Sequence, residues 1–297
     1  MLGAVAALGT AWPFTPARAA KATPLTRTIP KTGERLPVIG MGSWLTFGVG
    51  GDRAERAARV QVLKAFFEAG GGMIDSSPMY GSSEDVIGDC LSRIADTQTL
   101  FSATKVWTPL QWYGRKQMAE SEKLWGVKRF DLFQIHNLLS WDAHMETLLD
   151  AKARGRVRYI GVTTSHGRKH NLLERVMAEQ PIDFVQFTYN ILDREAEQRL
   201  LPLAAERRLG VIINRPFQGG GLFERFQNYP LPPWAADFDC ANWAQFFLKF
   251  IVSHPAVTCA IPATSRPAHM RENMAAGRGR LPDGETRRRM IRYVEGL

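Results

Sequence analysis

Four residues carry most of the chemistry in this sequence: Asp75, Tyr80, Lys105 and His136. Asp75 closes the apolar run Gly72-Met73-Ile74-Asp75, and Tyr80 lies in the loop that follows, Ser76-Ser77-Pro78-Met79-Tyr80-Gly81. Lys105 ends Leu100-Phe101-Ser102-Ala103-Thr104-Lys105, and His136 ends Asp131-Leu132-Phe133-Gln134-Ile135-His136. Titratable groups at the ends of apolar strands are costly to desolvate unless they pair. Together these four make a proton-donor site. A phenol, with a pKa of about 10, is a weak acid at neutral pH. A nearby ammonium lowers that value, and a carboxylate keeps the ammonium charged and in place. Tyr80 then donates to a carbonyl oxygen as charge builds there, while His136 hydrogen-bonds the same oxygen. No side chain here supplies hydride, so a redox reaction needs a cofactor.

The elements that must position these groups follow from periodicity. Short apolar runs at 38–44, 72–76, 99–106, 130–136, 157–163, 183–189, 210–214 and 258–262 read as strands. Helical patterns alternate with them: Arg53–Ala69, Glu84–Ile94, Gln117–Trp125, Ala143–Ala153, Arg168–Glu179, Glu195–Arg208, Ala241–Ser253 and Pro267–Ala275. Glycines just past several helices (Gly70, Gly126, Gly155, Gly210) mark expected stops. Eight strands alternating with eight helices predict a (β/α)8 TIM barrel. An N-terminal β-hairpin precedes it, turning at Lys31-Thr32-Gly33-Glu34, and a C-terminal helix follows. A doubly wound sheet would require a glycine-rich dinucleotide loop after the first strand, and Gly40-Met41-Gly42 lacks the third glycine. A phosphate loop of the G-x-x-x-x-G-K-[ST] type is missing too. In a barrel, chemistry gathers at the C-terminal strand ends, so adjacent strands bring Asp75, Lys105 and His136 within reach of Tyr80.

At 45% hydrophobic and 23% charged, the 297 residues suit one large core, and no Pro/Ser-rich linker divides them. We therefore expect a single barrel domain over 21–297, behaving as a monomer. The net charge of +9 favours anionic ligands such as phosphorylated cofactors. The basic residues are dispersed and no nucleic-acid motif appears, so nucleic acid is not an expected partner. The three cysteines form no C-x-x-C pair and read as small buried hydrophobes, with no metal site expected. Residues 1–20 stand apart. Met1 to Trp12 is apolar, uncharged and too short to span a bilayer, and Ala17-Arg18-Ala19 gives a cleavage-like pattern. This segment reads as the tail of an export signal lacking its basic start, or as a disordered extension. Periplasmic export is the first expectation and cytoplasmic residence the alternative.

The four residues and their neighbours resemble the aldo-keto reductases. The resemblance runs from about 26 to 276. The stretch Asp75 to Glu84, with Gly88, is similar to the family's second-strand signature, and Thr104-Lys105-Val106-Trp107 and Gln134-Ile135-His136-Asn137 to its next two. It implies that Asp75, Tyr80, Lys105 and His136 are catalytic and that a nicotinamide cofactor binds. For the carboxamide it implies Thr163, Thr164 and Gln186, although the family usually has Ser-Asn where Thr163-Thr164 stand. The aromatic that stacks on the nicotinamide is replaced by Asn214, so stacking is lost or falls to Phe217, beyond Pro216. Thr264, Arg266, Glu272 and Asn273 match the adenosine-phosphate segment. Ala263 and His269 replace basic residues of well-known members, leaving Arg266 for the 2′-phosphate. NADP is therefore the expected cofactor, with NAD second. Trp44, Trp107 and Asn137 would line the substrate pocket, with Phe47 and Trp112 contributing; such aromatic walls suit an apolar or aromatic carbonyl compound. The long connection 219–239 is expected to fold over the pyrophosphate.

The expected activity is NADP(H)-dependent reduction of an aldehyde or ketone, with Tyr80 as proton donor. Two other readings stay open: a non-catalytic nucleotide-binding sensor on the same fold, and a dehydratase or isomerase without net redox.

Overall fold

A computed structural model describes residues 23–297; the signal-like segment lies outside them. The predicted hairpin forms first. Strands β1 (Thr26–Thr28) and β2 (Arg35–Pro37) pair antiparallel, Thr26 opposite Pro37. Their turn uses Gly33 at φ +77°, a conformation that suits glycine.

Eight parallel strands follow: β3 (Met41–Gly42), β4 (Met73–Asp75), β5 (Phe101–Val106), β6 (Phe130–Ile135), β7 (Val157–Thr163), β8 (Phe184–Thr188), β9 (Gly210–Asn214) and β10 (Cys259–Ala260). Each pairs with its neighbours in chain order. Parallel bridges from Ile39 to Ala260 and from Gly42 to Ala263 close the sheet on itself. Around it run helices α1 (Arg53–Glu68), α2 (Ser83–Ser92), α3 (Gln111–Trp125), α4 (Trp141–Ala153), α5 (His170–Glu179), α6 (Leu200–Glu206), α7 (Gly221–Phe226), α8 (Trp243–Val252), α9 (Pro267–Ala275) and α10 (Gly284–Glu295). The protein is the expected (β/α)8 barrel. Among the described residues, no helix is long and apolar enough to cross a membrane.

Strand alternation creates two cores. Ile74, Val106, Phe133, Ile160, Val185 and Val211 face outward and pack with the helices. Met73, Phe101, Leu132, Tyr159, Phe184 and Ile212 fill the barrel interior, where Ile29 and Leu36 of the hairpin region join them. The same period of two then dictates what stands above them. Two residues on from Met73, Leu132, Phe184 and Ile212 come Asp75, Gln134, Gln186 and Asn214, and four on from Phe101, past Ala103, comes Lys105. The polar residues thus cap inward-facing apolar columns at the C-terminal ends of the strands.

Several boundaries differ from expectation. The first strand contracts to two residues, and the last ends before Pro262, which has no N–H for a ladder. The single helix expected over Glu195–Arg208 divides into a 3-10 turn (Glu195–Glu197) and α6, because Pro202 blocks a continuous helical ladder. Helix α3 starts six residues earlier than its apolar pattern shows; Gly114 in its first turn makes room for the His144 ring, which would lie 2.6 Å from an added Cβ. The connection after β9 is ordered by α7 and a 3-10 stretch, Pro233–Phe238.

Gly88 marks a close contact between α2 and α3. A Cβ there would lie 1.8 Å from the Leu124 carbonyl oxygen. Gly88→Ala must push α2 off α3, backbone against backbone. We expect it to destabilise the fold by about 3 kcal/mol, the upper end for overpacking, read as a lower urea midpoint.

Candidate active site

The strand ends converge on one open chamber of about 320 Å³. At its base Lys105 and Asp75 form a buried ion pair, Nζ to Oδ2 at 2.5 Å. Lys105 also donates to the Ser76 carbonyl oxygen at 2.7 Å, and the second Asp75 oxygen accepts from Gln134 Nε2 at 3.1 Å. Burial raises the Asp75 carboxyl, opposed by Lys105 and the two glutamines Gln186 and Gln134. Burial also works against the Lys105 ammonium, but Asp75 and Tyr80 outweigh it and its pKa moves up. Lys105 therefore stays charged.

Tyr80 comes from the 3-10 turn Pro78–Tyr80, which Pro78 starts and the Ser77 hydroxyl caps by accepting from Met79 N. The Lys105 Nζ lies 5.3 Å from the Tyr80 ring centre. Burial raises the phenol above its usual range, and Lys105 pulls it back. Tyr80 thus keeps its proton at neutral pH. His136 stands edge-to-face with Tyr80, ring centres 5.6 Å apart. Its Nδ1 lies 2.8 Å from Ser77 Oγ. Burial, then the Lys105 charge, pushes His136 down to about 3, so the ring is neutral.

The chamber brings together most of the expected residues: the four above, Thr163, Gln186, Asn214, Pro216, Phe217, Trp44 and Asn137. Thr163 Oγ1 accepts from Asn137 N at 3.0 Å. Asn214 is locked between strands, accepting from Thr188 Oγ1 and donating to the Thr164 carbonyl oxygen, each at 2.8 Å. Phe217 is buried against Phe223, ring centres 4.7 Å apart, and both line the chamber.

Other expected residues lie outside the lining. Thr164 faces a small adjoining pocket with Arg168 and Lys169. Trp107 is half-exposed, its backbone held on both sides by the Gln117 side chain. Phe47 is wholly buried in the outer core, and Trp112 is exposed on α3. Thr264, Arg266, Glu272 and Asn273 lie along the start and body of α9, past Ala263, which does line the chamber. Thr264 Oγ1 accepts from Arg266 N at 3.2 Å, and Asn273 is buried while Glu272 is exposed.

Several contributors had no expected role. Gln134 and Ser77 lie inside the stretches that carry the family resemblance without a role of their own there, although counting two on from Leu132 would have pointed Gln134 inward. Leu45, Met79 and Arg215 also line the chamber. Leu45 and Arg215 sit on loops and Met79 in the short 3-10 turn, where no periodicity fixes direction.

The family model described as "Aldo/keto reductase family" matches residues 38–289. The chain belongs to the aldo/keto reductase family. Among named relatives, methylglyoxal reductase YeaE of Escherichia coli K12 is 27% identical over 252 residues, covering 81% of this chain and 85% of that one. An aldo/keto reductase from Klebsiella pneumoniae, crystallised with NADP and acetate, superposes with a TM-score of 0.74 at 22% identity, covering 91% and 95% of the two chains. The holo form of an aldo-keto reductase from Bacillus halodurans gives 0.75 at 19%, covering 91% and 96%. At these identities the two structures speak to the fold. The aldo/keto reductase match spans all eight barrel strands entirely, from β3 through β10.

Proposed function

We propose that this aldo/keto reductase reduces an aldehyde or ketone to an alcohol, with NADPH as reductant and Tyr80 as proton donor. The observation that carries the reading is the buried Lys105–Asp75 pair beneath Tyr80 at the floor of a largely apolar chamber. A charged lysine at that place stabilises the phenolate that forms when Tyr80 gives up its proton. Neutral His136 hydrogen-bonds the carbonyl oxygen and orients it toward Tyr80. Trp44, Leu45 and Met79 supply apolar wall for the rest of the substrate.

The chamber fits a nicotinamide. Gln186 Oε1 is buried without a hydrogen-bond partner among the described residues, and Gln186 lines the chamber beside Thr163. A bare amide oxygen is an acceptor for a carboxamide N–H. When bound, the cofactor supplies hydride. Gln186 and Thr163 would hold its carboxamide, and Phe217 would give it an apolar wall. Arg266 would take the 2′-phosphate: it is exposed at the start of α9, and no described carboxylate lies within ion-pair distance. Gln186→Met removes the orphan acceptor. We expect the Kd for NADPH to rise about tenfold, equal to roughly one lost hydrogen bond, measured by quenching of tryptophan fluorescence.

The activity is tested by following NADPH oxidation with 4-nitrobenzaldehyde, beside NADH and beside methylglyoxal, the compound in the name of the Escherichia coli relative. Turnover with any of these carbonyl compounds supports the reading. Tight NADPH binding with no turnover of any aldehyde or ketone overturns it in favour of a nucleotide sensor.

A further inference from the structure

We infer that Ser77 is a positioning residue that sets the tautomer of His136, so that the imidazole presents Nε2–H to the reacting carbonyl. The inference rests on the proposed role of His136 as a ligand of that carbonyl oxygen.

The argument is one of hydrogen-bond supply. Ser77 is fully buried. Its Oγ has two neighbours, Met79 N at 3.2 Å and His136 Nδ1 at 2.8 Å. The Met79 N–H is a donor and takes one lone pair of the hydroxyl. A hydroxyl carries a single proton, and Nδ1 is the acceptor the structure offers it. If Nδ1 were protonated, Ser77 would accept twice and its own O–H would be buried with no partner. Leaving a buried donor unpaired is costly enough to bias the two tautomers by roughly tenfold or more. With Nδ1 bare, every group in the cluster is satisfied. The imidazolium, which would donate from both nitrogens, is disfavoured by burial and by the charge of Lys105.

The consequence falls on the other nitrogen. His136 lines the chamber, and among the described residues no protein group is bonded to Nε2. As Nε2–H it donates to a carbonyl oxygen and strengthens as negative charge builds there. As a bare lone pair it would repel that oxygen and compete for the proton of Tyr80, whose ring stands edge-to-face with it. Ser77 itself is held by the same turn that delivers Tyr80, since it caps the 3-10 turn that Pro78 opens. Donor and orienting ring are thereby set by one piece of backbone.

The test uses the full chain labelled with 15N-histidine, read by long-range 1H–15N correlation at pH 7, with His136 assigned by loss of its signals in His136→Gln. Wild type is expected to show the Nε2–H tautomer at His136. Ser77→Ala is expected to give a mixture of tautomers and a kcat about tenfold lower, with the Kd for NADPH unchanged. Ser77→Thr, which keeps a hydroxyl, is expected to recover most of both; unchanged far-ultraviolet circular dichroism and urea midpoint establish that each variant is folded. An Nδ1–H tautomer in wild type overturns the inference and leaves the carbonyl role of His136 standing. A pure Nε2–H signal in Ser77→Ala also overturns it. A shifted tautomer with undiminished kcat removes His136 from the reaction, and the positioning role of Ser77 with it.

Discussion

Tyr80→Phe is expected to lower kcat/KM for carbonyl reduction by about 10²- to 10⁴-fold, the usual share of a positioned general acid, while NADPH binding is retained. The ring stays, so its edge-to-face packing on His136 survives. The hydroxyl that delivers the proton is gone. The pH profile of the wild type should carry the same signature. Burial raises the phenol, so Tyr80 keeps its proton through neutrality and reduction falls off only on the alkaline side. His136, at about 3, contributes no step between pH 5 and 8. A steady-state profile carried from pH 5 to beyond pH 10 checks both points. A titration step near the ordinary histidine value, or a Tyr80→Phe enzyme at the wild-type rate, would remove the present assignment of roles.

Lys105→Met should do two things. It should depress turnover at least as far as Tyr80→Phe, since the phenolate loses its cation. It should also destabilise the fold by about 3–5 kcal/mol, the usual cost of stranding one member of a buried pair. Asp75 would then be a carboxylate in a dry barrel, with only the neutral amides of Gln134 and Gln186 beside it. Its pKa, already raised by burial, rises further once the opposing lysine is removed. A carboxyl whose folded-state pKa is raised stabilises at low pH and loses that contribution as pH rises through the raised value. The deficit of Lys105→Met against wild type should therefore be smaller at pH 5 than at pH 8, measured by urea unfolding at both. Adding Asp75→Asn removes the stranded charge and should return part of the lost stability at pH 8. Additive losses in the double variant would mean that the pair is not coupled.

How much of this was legible from residues alone differs from element to element. The four catalytic candidates were legible because each ends or follows a strand-like apolar run, and the barrel rule places strand ends together. The inward-facing partners were less so. Gln134 bonds Asp75 and Ser77 meets His136, yet neither residue type by itself marks a role in the chemistry. Their roles depend on which atom of a neighbouring strand or turn lies within 3 Å or so, the hydrogen-bonding range. Helix limits failed where a local rule competed with periodicity. Pro202 broke an expected helix, and the first turn of α3 hid its start because it exposes Trp112 and Tyr113 and buries Gly114.

The pocket wall shows the same division. Trp44 and Asn137 line the chamber as expected, while Trp107, at the equivalent place after β5, does not. Its backbone is tied to Gln117 on α3, a contact between loop and helix that no spacing encodes. Phe47 turned wholly inward to the outer core. By itself, then, the sequence determined the barrel, the alternation that makes each strand half interior and half exterior, and the residue types at the strand ends. These are properties of period and order along the chain. The tertiary structure decided which nitrogen of His136 is occupied, which carboxylate oxygen meets Lys105, and which loop side chains face the chamber. Those depend on distances of a few tenths of an ångström between segments far apart in sequence, and only the closed barrel brings such segments together.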